Sequence, residues 1–107
     1  LFIQTTQFTK NWDSFVLTDY ELRRLDLEIL RNPKAGDVIQ GTGRLRKLRF
    51  AFANQGKSGS ARVCYVDFLV KEVVYLITIY PKNDKDNLTR AECNNIKKLI
   101  DYLEDSL

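Results

Sequence analysis

Leu45-Arg46-Lys47-Leu48-Arg49-Phe50-Ala51-Phe52 alternates between cationic and apolar residues from Lys47 to Phe50. Leu48, Phe50 and Phe52 fall on one side; Lys47 and Arg49 fall on the other. A period of two belongs to a strand, so this stretch is expected to bury its apolar side and present its cations outward. Asn54 to Ser60, with Gly56 and Gly59, reads as a flexible turn. A second strand is expected over roughly 61–69, then a turn near Lys71-Glu72. Val73–Tyr80 is the most β-prone segment of the chain, and Pro81 stops it. Three strands with connections this short predict an antiparallel meander.

Residues 33–43, immediately upstream, hold three glycines and read as a connector, with Val38 and Ile39 pinning it to the core. Further upstream, Thr18-Asp19-Tyr20-Glu21 has the form of a capping box. The helix it opens carries Leu22, Leu25, Ile29 and Leu30, with Leu27 widening the apolar face, and ends at Asn32-Pro33. Phe8, Trp12 and Phe15 have helical spacing and read as core. Residues 1–5 read as a short first strand. Downstream, 82–88 is a polar linker. Thr89-Arg90-Ala91-Glu92 is a second capping box, opening a helix with Ile96, Leu99, Ile100 and Leu103 on one stripe. The expected order is β-α-α-β-β-β-α. This is an α+β fold: a mostly antiparallel, curled sheet of about four strands, with two N-terminal helices and one C-terminal helix against one face and the other face partly open.

Length and composition set outer limits. At 107 residues the chain suits one domain, 1–107. With 44% apolar residues it is not a disordered tail, and no apolar run approaches the ~20 residues of a membrane span. Cys64 and Cys93 form no CxxC pair and are expected as free thiols, with no zinc or other metal site and no cofactor. Leu1-Phe2-Ile3 lacks a basic n-region and a long apolar core, so a cytoplasmic location is the default.

The net charge of +3 is informative only when divided along the chain. Residues 38–66 hold Arg44, Arg46, Lys47, Arg49, Lys57 and Arg62 and no acidic side chain, whereas both flanks are near neutral or acidic. An uncompensated basic segment suggests a polyanion partner; the plainer alternative is a solvated basic face. Lys47 and Arg49 stand about 7 Å apart on one strand face, a spacing suited to phosphates. Arg62 opens the neighbouring strand. Lys82 and Lys85 follow the last strand, where Tyr80 is available to stack on a base. In a meander these segments are expected to converge on the open face, forming a concave surface that holds Lys47, Arg49, Arg62 and Lys82.

There is no histidine. One reaction remains accessible without it, because RNA carries its own nucleophile in the 2′-hydroxyl. Attack on the adjacent phosphorus gives a 2′,3′-cyclic phosphate and frees the 5′-oxygen. The protein has to align the groups, balance charge and help protons move. Arginine clamps a phosphate but is a poor base, so lysine is the candidate for proton transfer.

Gly41-Thr-Gly-Arg-Leu-Arg-Lys-Leu-Arg49, Gly59-Ser-Ala-Arg-Val-Cys-Tyr65 and Tyr75-Leu-Ile-Thr-Ile-Tyr-Pro-Lys-Asn83, followed by Asn87-Leu-Thr89, resemble the RelE/HigB toxins of bacterial type II toxin–antitoxin systems. The likeness is clearest over about 36–103. It implies a metal-independent endoribonuclease that cleaves messenger RNA on the ribosome and inhibits translation. It also implies a cognate helix-turn-helix antitoxin, with operator DNA met only through that complex. By the same likeness Lys47 and Arg49 match the family's paired strand cations, Arg62 the arginine that stabilises the transition state, and Lys82 an arginine of some members. Arg44, Arg46, Lys57, Tyr80 and Lys85 are the expected RNA-binding residues. Leu88 stands where some members carry a tyrosine. The alternatives are a ParE-like toxin acting on DNA gyrase, a non-catalytic RNA-binding module, or a structural domain whose basic face meets an acidic protein. The basic strand favours RNA.

Overall fold

In the computed structural model, which describes residues 1–15, 18–52, 60–81 and 87–107, eight elements follow one another. They are β1 (Phe2–Gln4), α1 (Thr6–Asp13), α2 (Asp19–Arg31), β2 (Asp37–Val38), β3 (Arg46–Ala51), β4 (Ser60–Phe68), β5 (Val73–Pro81) and α3 (Arg90–Ser106). The strands form one mixed sheet in the order β1-β5-β4-β3-β2. The expected meander is there, with β4 antiparallel to both β3 and β5. A short 3-10 turn, Leu69–Lys71, joins β4 to β5, and Glu72 completes it in the left-handed region at φ 55°.

The sheet differs from expectation in two respects. It has five strands rather than four, because Asp37 and Val38 pair with Lys47 and Arg46 inside the segment read as a connector. Ile39 packs against the core as expected, but Val38 is half exposed. The sheet is also covered on both faces. Phe8, Trp12, Leu25 and Ile29 of α1 and α2 meet Leu48, Phe50, Val63, Tyr65 and Leu76 on one side. Ile100 of α3, with Ile96, Leu99 and Leu103 beside it, meets Leu45, Cys64, Val66, Ile77 and Tyr80 on the other. The expectation of three helices on one face is therefore corrected. An amphipathic helix reveals that it has an apolar side, not which sheet face that side covers.

The helix readings fared unequally. Thr89 caps α3 as expected: its side chain accepts from Glu92 N at 3.1 Å, and Glu92 accepts from Thr89 N at 2.8 Å. Thr18 makes no such bond. Glu21 is buried and pairs with Arg24 at 2.9 Å instead. Leu27 and Leu30 are more than half exposed, so the apolar face of α2 is narrower than expected. Thr5, which the sequence reading left out, caps α1 by accepting from Phe8 N at 3.0 Å.

Candidate functional site

The site rests on strand register. Within β3, Leu48 and Phe50 point to the α1–α2 core, so Lys47 and Arg49 point to the α3 face. On β4, Val63 and Tyr65 point to the α1–α2 core, which places Arg62 and Cys64 with α3. Arg49 lies directly opposite Arg62, and Lys47 directly opposite Cys64. On the next strand Arg62 lies opposite Tyr80, and Cys64 opposite Thr78. Two rows thus cross three strands on one face: Arg49–Arg62–Tyr80 and Lys47–Cys64–Thr78. Adjacent strands in such a row are ~5 Å apart.

A bulge completes the first row. Cys64 pairs with Thr78 but Tyr65 pairs with Leu76, leaving Ile77 as the extra residue of β5. Alternation restarts beyond it, so Ile77 and Tyr80, three apart, both reach the α3 cluster. Without the bulge, Tyr80 would lie on the opposite side from Arg62's neighbours.

Two cations placed directly opposite each other repel, and that arrangement is destabilising unless something offsets it. Arg49 is exposed. Arg62 is half-buried, and its Nη1 is fully buried without a hydrogen-bond partner among the described residues. A buried guanidinium N–H left unsatisfied is costly and marks a place where an acceptor belongs. Burial pushes the Tyr80 hydroxyl well above the usual phenol range; the neighbouring Cys64 thiol adds to the shift and Arg62 opposes it. Tyr80 therefore stays protonated at neutral pH. It is only 5% exposed, which leaves its ring no open face for stacking. Lys47 donates from Nζ to Asn87 Oδ1 at 2.9 Å, tying β3 to the approach of α3.

Lys47, Arg49 and Arg62 therefore come together, but on the sheet face that α3 packs against rather than on an open one. Arg46 does not join them: its guanidinium donates to Gly36 O at 2.7 Å, as its place in the strand alternation requires. Arg44 pairs with Glu104 and lies over the Phe68 ring, 5.0 Å from its centroid. It lines a cleft of about 550 Å³ near Val70 and Leu107. Phe68 is six residues along β4 from Arg62, about 20 Å at the rise of a strand. Lys57, Lys82 and Lys85 lie outside the described residues. Cys64 and Cys93 are free thiols, and only Cys64 is fully buried. Among the described residues, no group of three or more Cys, Asp or Glu is placed to hold a metal ion, and no helix is long and apolar enough to cross a membrane.

Two site features escaped the sequence reading. One is the bulge, for which Ile77-Thr78 carries no Gly or Pro as a signal. The other is Asn87, a neutral amide in a polar linker. A family model described as the RelE toxin of the RelE/RelB toxin–antitoxin system matches residues 3–106.

Proposed function

Because the chain belongs to the RelE toxin family, we propose that it is a metal-independent endoribonuclease that cleaves messenger RNA in the ribosome and is neutralised by a cognate antitoxin. The observation that carries this reading is Arg62, directly opposite Arg49 and with a buried Nη1 that has no hydrogen-bond partner among the described residues. An incoming phosphate supplies the missing acceptor and relieves the repulsion between the two arginines.

In this reading the substrate's own 2′-hydroxyl attacks the adjacent phosphorus. Arg62 donates to the oxygens on which charge accumulates in the phosphorane, and Arg49 holds the same phosphate from the neighbouring strand. Lys47, two residues from Arg49, takes part in proton transfer, and Lys82 is the fourth cation of the site. The products are a 2′,3′-cyclic phosphate and a free 5′-hydroxyl. Tyr80 packs behind Arg62 and supports its direction. DNA lacks the 2′-hydroxyl and is not a substrate for this chemistry.

The test is induced expression of wild type and Arg62→Ala, with mapping of transcript ends and purified ribosomes added or withheld. Wild type is expected to arrest growth and to cut only ribosome-bound message. Arg62→Ala loses roughly 10²–10³ in rate, as when a charge-stabilising donor is removed. Growth arrest with intact RNA and gyrase-dependent DNA damage would overturn the reading in favour of a ParE-like activity.

A further inference from the structure

We propose that Asn87 is a positioning residue, whose side-chain amide holds the Lys47 ammonium in place beside Arg49 and Arg62. The inference rests on the reading of Lys47 given above and extends it to a residue with no charge of its own.

Asn87 is forty positions from Lys47 in the chain, yet its Oδ1 accepts from Lys47 Nζ at 2.9 Å. Its location is set by the residues that follow. Leu88 packs into the apolar cluster under α3. Thr89 and Glu92 then lock the first turn of α3 through reciprocal capping bonds of 3.1 and 2.8 Å. The amide is thereby presented from a rigid helix start to a strand residue on the sheet below. A lysine has a long flexible stem and one compact charge, so a fixed acceptor determines where that charge sits.

The chemistry of the acceptor matters as much as its place. Among the described residues, other charged or titratable groups near Lys47 come from several elements. Arg49 and Arg62 share its sheet face, Cys64 lies opposite on β4, and Asp37 lies opposite on β2. Arg90 and Glu92 stand in the first turn of α3, with Glu92 engaged by the cap. A carboxylate at position 87 would pair with the ammonium and compete with phosphate for it. A neutral amide orients the same ammonium without adding a negative charge beside it.

The experiment is cleavage of message on programmed ribosomes by Asn87→Ala, Asn87→Asp, Lys47→Met and the Asn87→Ala/Lys47→Met double variant. Thermal melting confirms that each is folded. Asn87→Ala is expected to lower kcat roughly ten- to a hundredfold, the scale of a misplaced reacting group, with KM little changed. Asn87→Asp, which keeps the acceptor oxygen, recovers part of kcat but raises KM. In the Lys47→Met background Asn87→Ala causes no further loss, because it acts through Lys47. If Asn87→Ala cleaves at the wild-type rate, or lowers the rate equally in both backgrounds, the inference is overturned while the proposed activity stands. If wild type cuts no message, that activity fails and the inference falls with it.

Discussion

Tyr65 is fully buried on β4, and its hydroxyl organises a segment almost thirty residues earlier in the chain. It donates to Pro33 O at 2.7 Å and accepts from Gly36 N at 3.1 Å. Gly36 runs so close to β3 that a Cβ there would stand 2.9 Å from Lys47 O, so glycine is needed for the approach. Tyr65→Phe keeps the ring and leaves the Gly36 N–H buried without its acceptor. The expected cost is about 1–3 kcal/mol, read from the urea midpoint at unchanged m-value. Asp26 shows the opposite kind of polar burial. Its Oδ1 is buried with no hydrogen-bond partner among the described residues, and burial pushes its carboxyl up to about 6. The unfolded carboxyl titrates near 3.9. Between those values the native state holds the extra proton, so Asp26 makes the fold less stable as pH rises through that window. Asp26→Asn is therefore expected to raise Tm at pH 7.5 and to have little effect at pH 4. The carboxyl is half-buried and partly screened by solvent, so the gain is about 1 kcal/mol or less.

At the scale of elements, two T-x-x-E stretches looked alike and behave differently. Around Thr89 both reciprocal bonds form, and the box closes. Around Thr18, Glu21 turns to Arg24, which also donates to Ala51 O at 3.2 Å and lies over Phe50 at 5.2 Å. Packing between α2 and β3 outweighs a local motif. Thr89→Ala should cost about 1 kcal/mol and Thr18→Ala much less, compared by thermal melting of the two variants. The meander was legible because period two is a strong local signal at 45–52. The two-residue β2 was not, since a strand that short has no period to read. A clue to the covered second face was present. Val63-Cys64-Tyr65-Val66 is continuously apolar, as expected of a strand buried on both sides.

Across the whole molecule, the cationic rows set stability against function. Arg49 opposite Arg62 is a like-charge pair across strands, worth roughly 0.2–1 kcal/mol of repulsion. Arg49→Ala is thus expected to melt slightly higher than wild type in anion-poor buffer. Added sulfate, compared with chloride at equal ionic strength, should then stabilise wild type and have less effect on the variant, because an anion that binds the native site raises Tm by mass action. The trio Lys47, Arg49 and Arg62 was legible from strand period and connection length alone. Tyr80 was expected in the same surface, but the burial of its ring was not legible, because the bulge at Ile77 resets the alternation. Arg44 and Arg46, expected to bind RNA beside the trio, are engaged elsewhere: alternation turns Arg46 to the other face, where it holds Gly36 O, and the Glu104 pair draws Arg44 toward the end of α3.

The parallel pairing of β1 with β5 has a consequence for the order in which the molecule can be completed. Phe2 and Ile3 pair with Val74 and Tyr75, and Thr5 Oγ1 donates to Ile77 O across a separation of 72 residues. The closure that admits β1 is entropically expensive compared with the short turn between β4 and β5. A chain growing from its N-terminus has therefore made Phe8 and Trp12 long before the strand that buries them exists. A nascent chain cut short before β5 has an uncovered aromatic cluster and no Tyr80 behind Arg62. The cations of β3 and β4 then lack the strand that completes their rows, so only a chain synthesised through β5 can finish the site.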